Sequence, residues 1–297
     1  MIHKIIIATA ILSILTFHLS LLKAQPVDYY YNRPFGHLGI TIGGGPGAML
    51  YDNPAGKASP GLSLDLGLNY THFFSGLGMG VGIHLASVGG SAVYNNEETS
   101  HGLTHANNPY AQYDLTTRFN DWHERQQITM LCLPLEAFYR IRLGNGRHIF
   151  TGLGVQFEMP MKGKYKAGKG SYTTTGLFPV GGPHTVSDMP EHGFSTYEET
   201  FDASIADFKH SFSIIADVGL HLPLNYSGGL YIGLFGSYGL SSILDNNQGT
   251  GTMLAINPDD PSLIDYYGTF AAAGNPSLHL LRIGIKVGID LGTPMDN

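Results

Sequence analysis

Residues 279–292 read HLLRIGIKVGIDLG. From Leu281 to Leu291 every odd position is aliphatic, and the positions between are Arg282, Gly284, Lys286, Gly288 and Asp290. A period of two is the signature of a β-strand, whose successive side chains point to opposite faces. A soluble sandwich would bury the aliphatic row and give the charges to water. A barrel in lipid reverses both.

The same alternation recurs upstream. His37–Gly43 aligns Leu38, Ile40 and Ile42, and LSLDLGLNY (62–70) sets four leucines and Tyr70 against Ser63, Asp65, Gly67 and Asn69. Leu77–Ala86 opposes five apolar residues to Gly78, Gly80, Gly82 and His84. Further segments run over 131–143, 153–161, 212–222 and 230–240, making eight with the C-terminal one. Most approach the roughly 9–11 residues that a tilted strand needs to cross a bilayer.

The connections alternate in length. Those after the second, fourth and sixth segments are short (74–76, 144–147, 225–229), and those after the third, fifth and seventh are long, over 91–126, 163–207 and 243–276. The first, around 52–59, is intermediate. An outer-membrane barrel has short periplasmic turns and long extracellular loops, and a sandwich has no cause for this asymmetry.

The chain ends and its bulk composition agree with export. Lys4, the apolar run Ile5–Leu22 and Ala24 before Gln25-Pro26 have the anatomy of a signal peptide, with cleavage expected after Ala24. Loss of Lys4 and Lys23 would leave 14 Lys and Arg against 23 Asp and Glu, a net charge of −9. Such an acidic chain is a poor partner for nucleic acid. Cys132 is the single cysteine, so no disulfide forms within the chain. After residue 24 no run of about 18 apolar residues remains to make a helical span. Forty glycines also argue against helix, at about 1 kcal/mol each relative to alanine.

On these segments, Leu38 to Leu291, the chain resembles the small eight-stranded outer-membrane barrels of the OmpA-barrel and OmpX type, including their PorT-like relatives. The resemblance implies an all-β, antiparallel, up-and-down transmembrane barrel. The expected organisation is a signal peptide (1–24), a periplasmic segment (25–36), the barrel (37–292) and a tail (293–297). It also implies outer-membrane lipid, lipopolysaccharide and the barrel assembly machinery as partners. Family members usually end on an aromatic residue, whereas here Leu291 precedes Gly-Thr-Pro-Met-Asp-Asn.

With the aliphatic rows in lipid, the even positions face a lumen. Asp65, Glu136, Glu158 and Asp217 are then expected to pair there with Arg140, Arg142, Arg282 and Lys286, filling a plugged, charged interior. A proton or ion path through the same groups is the rarer use of such a network. Lys162, Lys164, Lys166 and Lys169 fall where the fifth segment leaves the outer leaflet, and are candidates for contact with lipopolysaccharide phosphates.

Other motifs weaken on inspection. Gly43–Ala48 fits G-x-G-x-x-A, but no helix follows to hold a pyrophosphate, so a flexible strand end is expected and no cofactor. His101 and His105 lie in a loop composition with no further ligand, so no metal is expected. Ser211 beside His210, and Ser87 near His84, have no oriented third group, so no catalytic residues are assigned. The leading expectation is a structural, interaction or secretion-accessory protein working through its surface loops. The alternatives are a narrow transporter of small apolar molecules, for which Phe138, Ile215, Tyr231 and Phe235 speak, and a lipid-modifying barrel.

Overall fold

The computed structural model describes residues 35–51, 57–74, 76–105, 108–144, 147–179, 183–205, 208–224, 228–244, 252–257, 260, 263–269 and 277–292. The expected signal peptide and the tail 293–297 lie outside the described residues. Strands β1 (Phe35–Tyr51), β2 (Lys57–Phe73) and β3 (Leu77–Tyr94) are followed by β4 (Glu97–His105) and β5 (Asn108–Asn120). Next come β6 (Trp122–Gly144), β7 (Arg147–Gly168), β8 (Ser171–Phe178), β9 (His184–Val186), β10 (Thr196–Tyr197) and β11 (Phe201–Ile205). The chain continues with β12 (Ser211–Pro223), β13 (Gly228–Gly239), β14 (Leu254–Ile256), β15 (Ile264–Tyr266) and β16 (Leu278–Gly292).

Eight of these close into one antiparallel ring, in the order β7-β12-β13-β16-β1-β2-β3-β6 with β6 returning to β7. The ring has no free edge within lipid, where an unpaired backbone group costs several kcal/mol. The first and last strands seal it over thirteen residue pairs, from His37 opposite Gly292 to Tyr51 opposite Leu278. Side-chain polarity fixes which face is which. Ile283 and Ile285 are 53% and 57% exposed, while Arg282 and Lys286 on either side of them are 2% and 8% exposed. The sandwich arrangement is thereby excluded: the oily rows face out.

The strands run well past the membrane. β6 and β7 have 23 and 22 residues, about twice what a crossing needs. Beyond Leu131 the polarity of the wall reverses. Arg125 and Gln127 point outward, while Trp122, Ile128 and Met130 are fully buried inside. β3 does the same, with Met79, Val81 and Ile83 outward below and Ala86, Val88 and Tyr94 inward above. The upper barrel is thus built like a water-soluble protein, around a core that also takes in Ile243, Leu244, Met253 and Leu254.

This corrects the expected loop boundaries. Segment 91–126 is wall at both ends, in β3 up to Tyr94 and in β6 from Trp122, with the β4–β5 hairpin between, and in 163–207 the wall continues to Gly168. A β-bulge at Met161, opposite Thr129 and Met130, flips the facing of β7, so that even positions point outward from Lys162 onward. Above the bulge β7 pairs with β11, and below it with β12. The long connections also build a sheet of their own, β10-β8-β5-β4 with β9 beside β8. Gly43–Ala48 is not a strand end either: it lies within β1, between β2 and β16.

Candidate functional site

The middle of the lumen is an ion-pair cluster. Arg282 Nη1 donates to Asp65 Oδ2 at 3.2 Å, and Nη2 donates to Ser237 Oγ at 3.2 Å and lies 3.5 Å from Glu158 Oε1. Glu158 accepts from Ser211, Ser213 and Gln156 at 2.9–3.0 Å. His84 Nδ1 lies 2.8 Å from Asp65 and its Nε2 2.6 Å from Asn69. Strand glycines make room for these long side chains. A Cβ on Gly67 would stand 2.7 Å from the His84 ring.

Below this cluster, toward the short turns, Lys286 Nζ donates to Asp217 Oδ2 at 2.9 Å. A cavity of ≈ 70 Å³ opens beside them, lined by carboxylates (Glu136, Asp217, Asp290) and by Phe138, Phe150 and Tyr231. Arg140 is buried at the same end, 5.0 Å from the centre of the Phe73 ring.

Above the cluster, Glu124 is fully buried and gathers the residues that fill the mouth. Tyr266 Oη donates to its Oε2 at 2.5 Å, Thr269 N to the same oxygen at 3.0 Å, and Thr269 Oγ1 to Oε1 at 2.7 Å. Gln126 Nε2 also donates to it. Burial, with the Glu124 charge beside it, pushes the Tyr266 phenol well above its ordinary value, so it remains a donor. Trp122 Nε1 donates to Tyr266 Oη at 3.1 Å, and Tyr165 Oη to the Tyr266 carbonyl at 2.7 Å. Residues 263–269 are so tied across the outer end of the lumen.

Of the eight charges expected inside, seven are buried: Asp65, Glu136, Arg140, Glu158, Asp217, Arg282 and Lys286. Arg142 is not among them. It is exposed near the end of β6, where the strand leaves the ring for its short turn. Lys162, Lys164, Lys166 and Lys169 are all exposed. Lys164 stands opposite Gln127, and Lys166 stands between Arg125 and Asp202. Among the weaker motifs, His101 lies 3.1 Å from Asp114, Ser211 faces Glu158, and Ser87 accepts from Gln127. The side chain of His105 lies outside the described residues.

Sequence reasoning missed Glu124, Gln126 and Thr269. Glu124 and Gln126 continue the even row of β6, but the alternation of aliphatic and polar residues in the sequence stops at Leu131, where the polarity of the outer face changes. Thr269 carries no periodic signal at all.

No protein-family model matches the chain, and no curated protein matches it. Among solved structures, Neisserial surface protein A is similar over 86% of this chain and 96% of its own, at 7% identity and a TM-score of 0.36. The outer membrane protein OprG from Pseudomonas aeruginosa is similar over 88% and 96%, at 13% identity and 0.35. Ail, the attachment invasion locus protein of Yersinia pestis solved with sucrose octasulfate, covers 87% and 99% at 10% identity and 0.28. Strand number, closure and polarity come from the ring itself. Eight antiparallel strands, closed, with aliphatic rows outward and ion pairs inward, give this chain the architecture of the small eight-stranded outer-membrane barrels.

Proposed function

We propose that the chain is exported to the bacterial outer membrane and works there as a sealed barrel. It presents the sheet built by its long loops to a partner protein at the cell surface or in a secretion complex. The observation that carries this reading is the filling of the lumen from two directions. The Arg282 cluster occupies the middle, and Tyr266, Thr269 and the core around Trp122 occupy the mouth. Material invested in ordered surface structure, with the bore occupied, favours display over passage.

The lipid-facing side of the same reading is the basic row Lys162, Lys164 and Lys166, with Lys169 at its end and Arg125 alongside. It stands just above the aliphatic belt, at the level of headgroups, and in this reading it contacts lipopolysaccharide phosphates. The barrel assembly machinery is the expected insertion partner. A path for small apolar molecules is disfavoured by the seven buried charges.

Purified barrel reconstituted into a planar bilayer tests the sealed lumen. Baseline current with no steady conductance is expected, and a sustained ohmic conductance contradicts it. A photo-crosslinking residue at Arg118 on the outer sheet, in whole cells, is expected to give discrete adducts. Their absence contradicts display.

A further inference from the structure

We propose that the cavity in the short-turn half of the lumen is a binding site for a small organic ammonium ion, a role separate from surface display. Glu136 is 5% exposed, and its Oε2 accepts no hydrogen bond among the described residues. Asp217 is 8% exposed, and it spends Oδ2 on Lys286 and leaves Oδ1 without a partner. Asp290, with His221 Nε2 3.6 Å from its Oδ2, completes three carboxylates along the cavity, against the single ammonium of Lys286. Arg140, over Phe73, is a second cation near this end, and His37, His148 and His221 supply ring nitrogens around it. Glu136 Oε2 and Asp217 Oδ1 are thus buried acceptors without a donor, and a guest ammonium would supply one.

The walls specify the cation's type. Phe138, Phe150 and Tyr231 line the cavity with the carboxylates, and aromatic faces beside carboxylates recognise an alkylammonium by charge and by cation–π attraction. The ≈ 70 Å³ of space fits roughly five water-sized groups, the size of a primary amine of about four carbons. Glycine keeps the acids in place: a Cβ on Gly39 would stand 2.4 Å from Asp290 Oδ1, and one on Gly152 3.3 Å from Glu136 Oε2. Entry is from the short-turn rim, where His37 and Asp290 are half-buried, because the Arg282 cluster closes the other end.

The test is saturation-transfer NMR on the folded barrel in micelles, with n-butylammonium as probe and n-butanol and butyrate as neutral and anionic controls. Transfer to butylammonium alone is expected. Its apparent affinity should fall about tenfold or more in Glu136→Gln and in Asp290→Asn, the loss expected for a charged hydrogen-bond partner. Asp290→Asn sits at the accessible rim and decides the matter if Glu136→Gln does not fold. Absent transfer in the wild type, equal transfer to butyrate, or unchanged affinity in the folded variants overturns the proposal.

Discussion

Arg282 and Asp65 lie 217 residues apart in the chain and share a hydrogen bond of 3.2 Å at the centre of the barrel. Arg282 is 2% exposed and also lies 3.5 Å from Glu158, so one guanidinium faces two buried carboxylates. The pair links β16 to β2 over the inner face of β1, which lies between them in the ring. Removing one partner of a buried pair costs about 3–5 kcal/mol, because the other charge is left stranded. Arg282→Met should therefore lower the temperature at which the folded band converts to the unfolded band on a gel. Adding Asp65→Asn should restore part of the loss. An Arg282→Met barrel with wild-type heat resistance would contradict the lumen account.

Glu124 is the acceptor that holds 263–269 in the mouth, through Tyr266 and both donors of Thr269. Glu124→Ala should leave the ring intact, since its backbone pairing does not involve the carboxylate. The measurement is limited proteolysis of the folded protein. Cleavage within 252–277 should quicken severalfold while the gel mobility of the folded band is unchanged. Equal cleavage rates would show that the core around Trp122, and not the carboxylate, holds the segment.

Glu98, on β4, accepts from the Met253 amide at 2.9 Å. Burial nonetheless raises its carboxyl above the ordinary value, against the opposing pull of that hydrogen bond. A folded value above the unfolded one means that folded, docked Glu98 binds its proton more tightly. Its contribution to docking is full below the unfolded carboxylate value and is lost as pH rises through the folded one. Hydrogen exchange at residues 253–256 should accordingly slow on acidification through that window, after correction for the intrinsic rate. Glu98→Gln should flatten the dependence, and a variant as pH-sensitive as the wild type would assign the effect to another group.

Lys166 is flanked by Arg125 on β6 and by Asp202 on β11, so the row carries more positive charge than its neighbours neutralise. Replacing Lys162, Lys164, Lys166 and Lys169 by Gln should at least halve the lipopolysaccharide that co-purifies with the barrel. Melting should change little, because exposed charges contribute on the order of 1 kcal/mol or less each. Unaltered lipopolysaccharide in that variant would remove the contact from the account.

The eight crossings were legible because lipid imposes one rule on each: aliphatic out, small or charged in. β16 obeys it from Leu281 to Leu291, and β2 from Leu62 to Leu68. The rule fails where β3, β6 and β7 leave the bilayer, since water outside and a core inside demand the opposite polarity. Arg125 outward and Ile128 inward follow that second rule, which is why the wall at the end of 91–126 reads as part of the loop. The bulge at Met161 hid the continuation of β7 by shifting its facing at Lys162. In the lumen the acid and base identities were readable from parity. Arg142 has the right parity for the lumen but stands at the strand end, where the polypeptide turns. Nothing local marks Thr269, whose position depends on a carboxylate 145 residues away.

The outward orientation of the aliphatic rows is tested most directly by scanning β16 with nitroxide side chains in a Cys132→Ala background. Collision rates with oxygen, which concentrates in lipid, are compared with those of a water-soluble nickel complex. Labels at positions 283, 285, 287 and 289 should favour oxygen with a period of two, and a label at 284 should be shielded from both. A pattern with the opposite phase, or one in which the nickel complex reaches 283–289 freely, would contradict a barrel bathed in lipid.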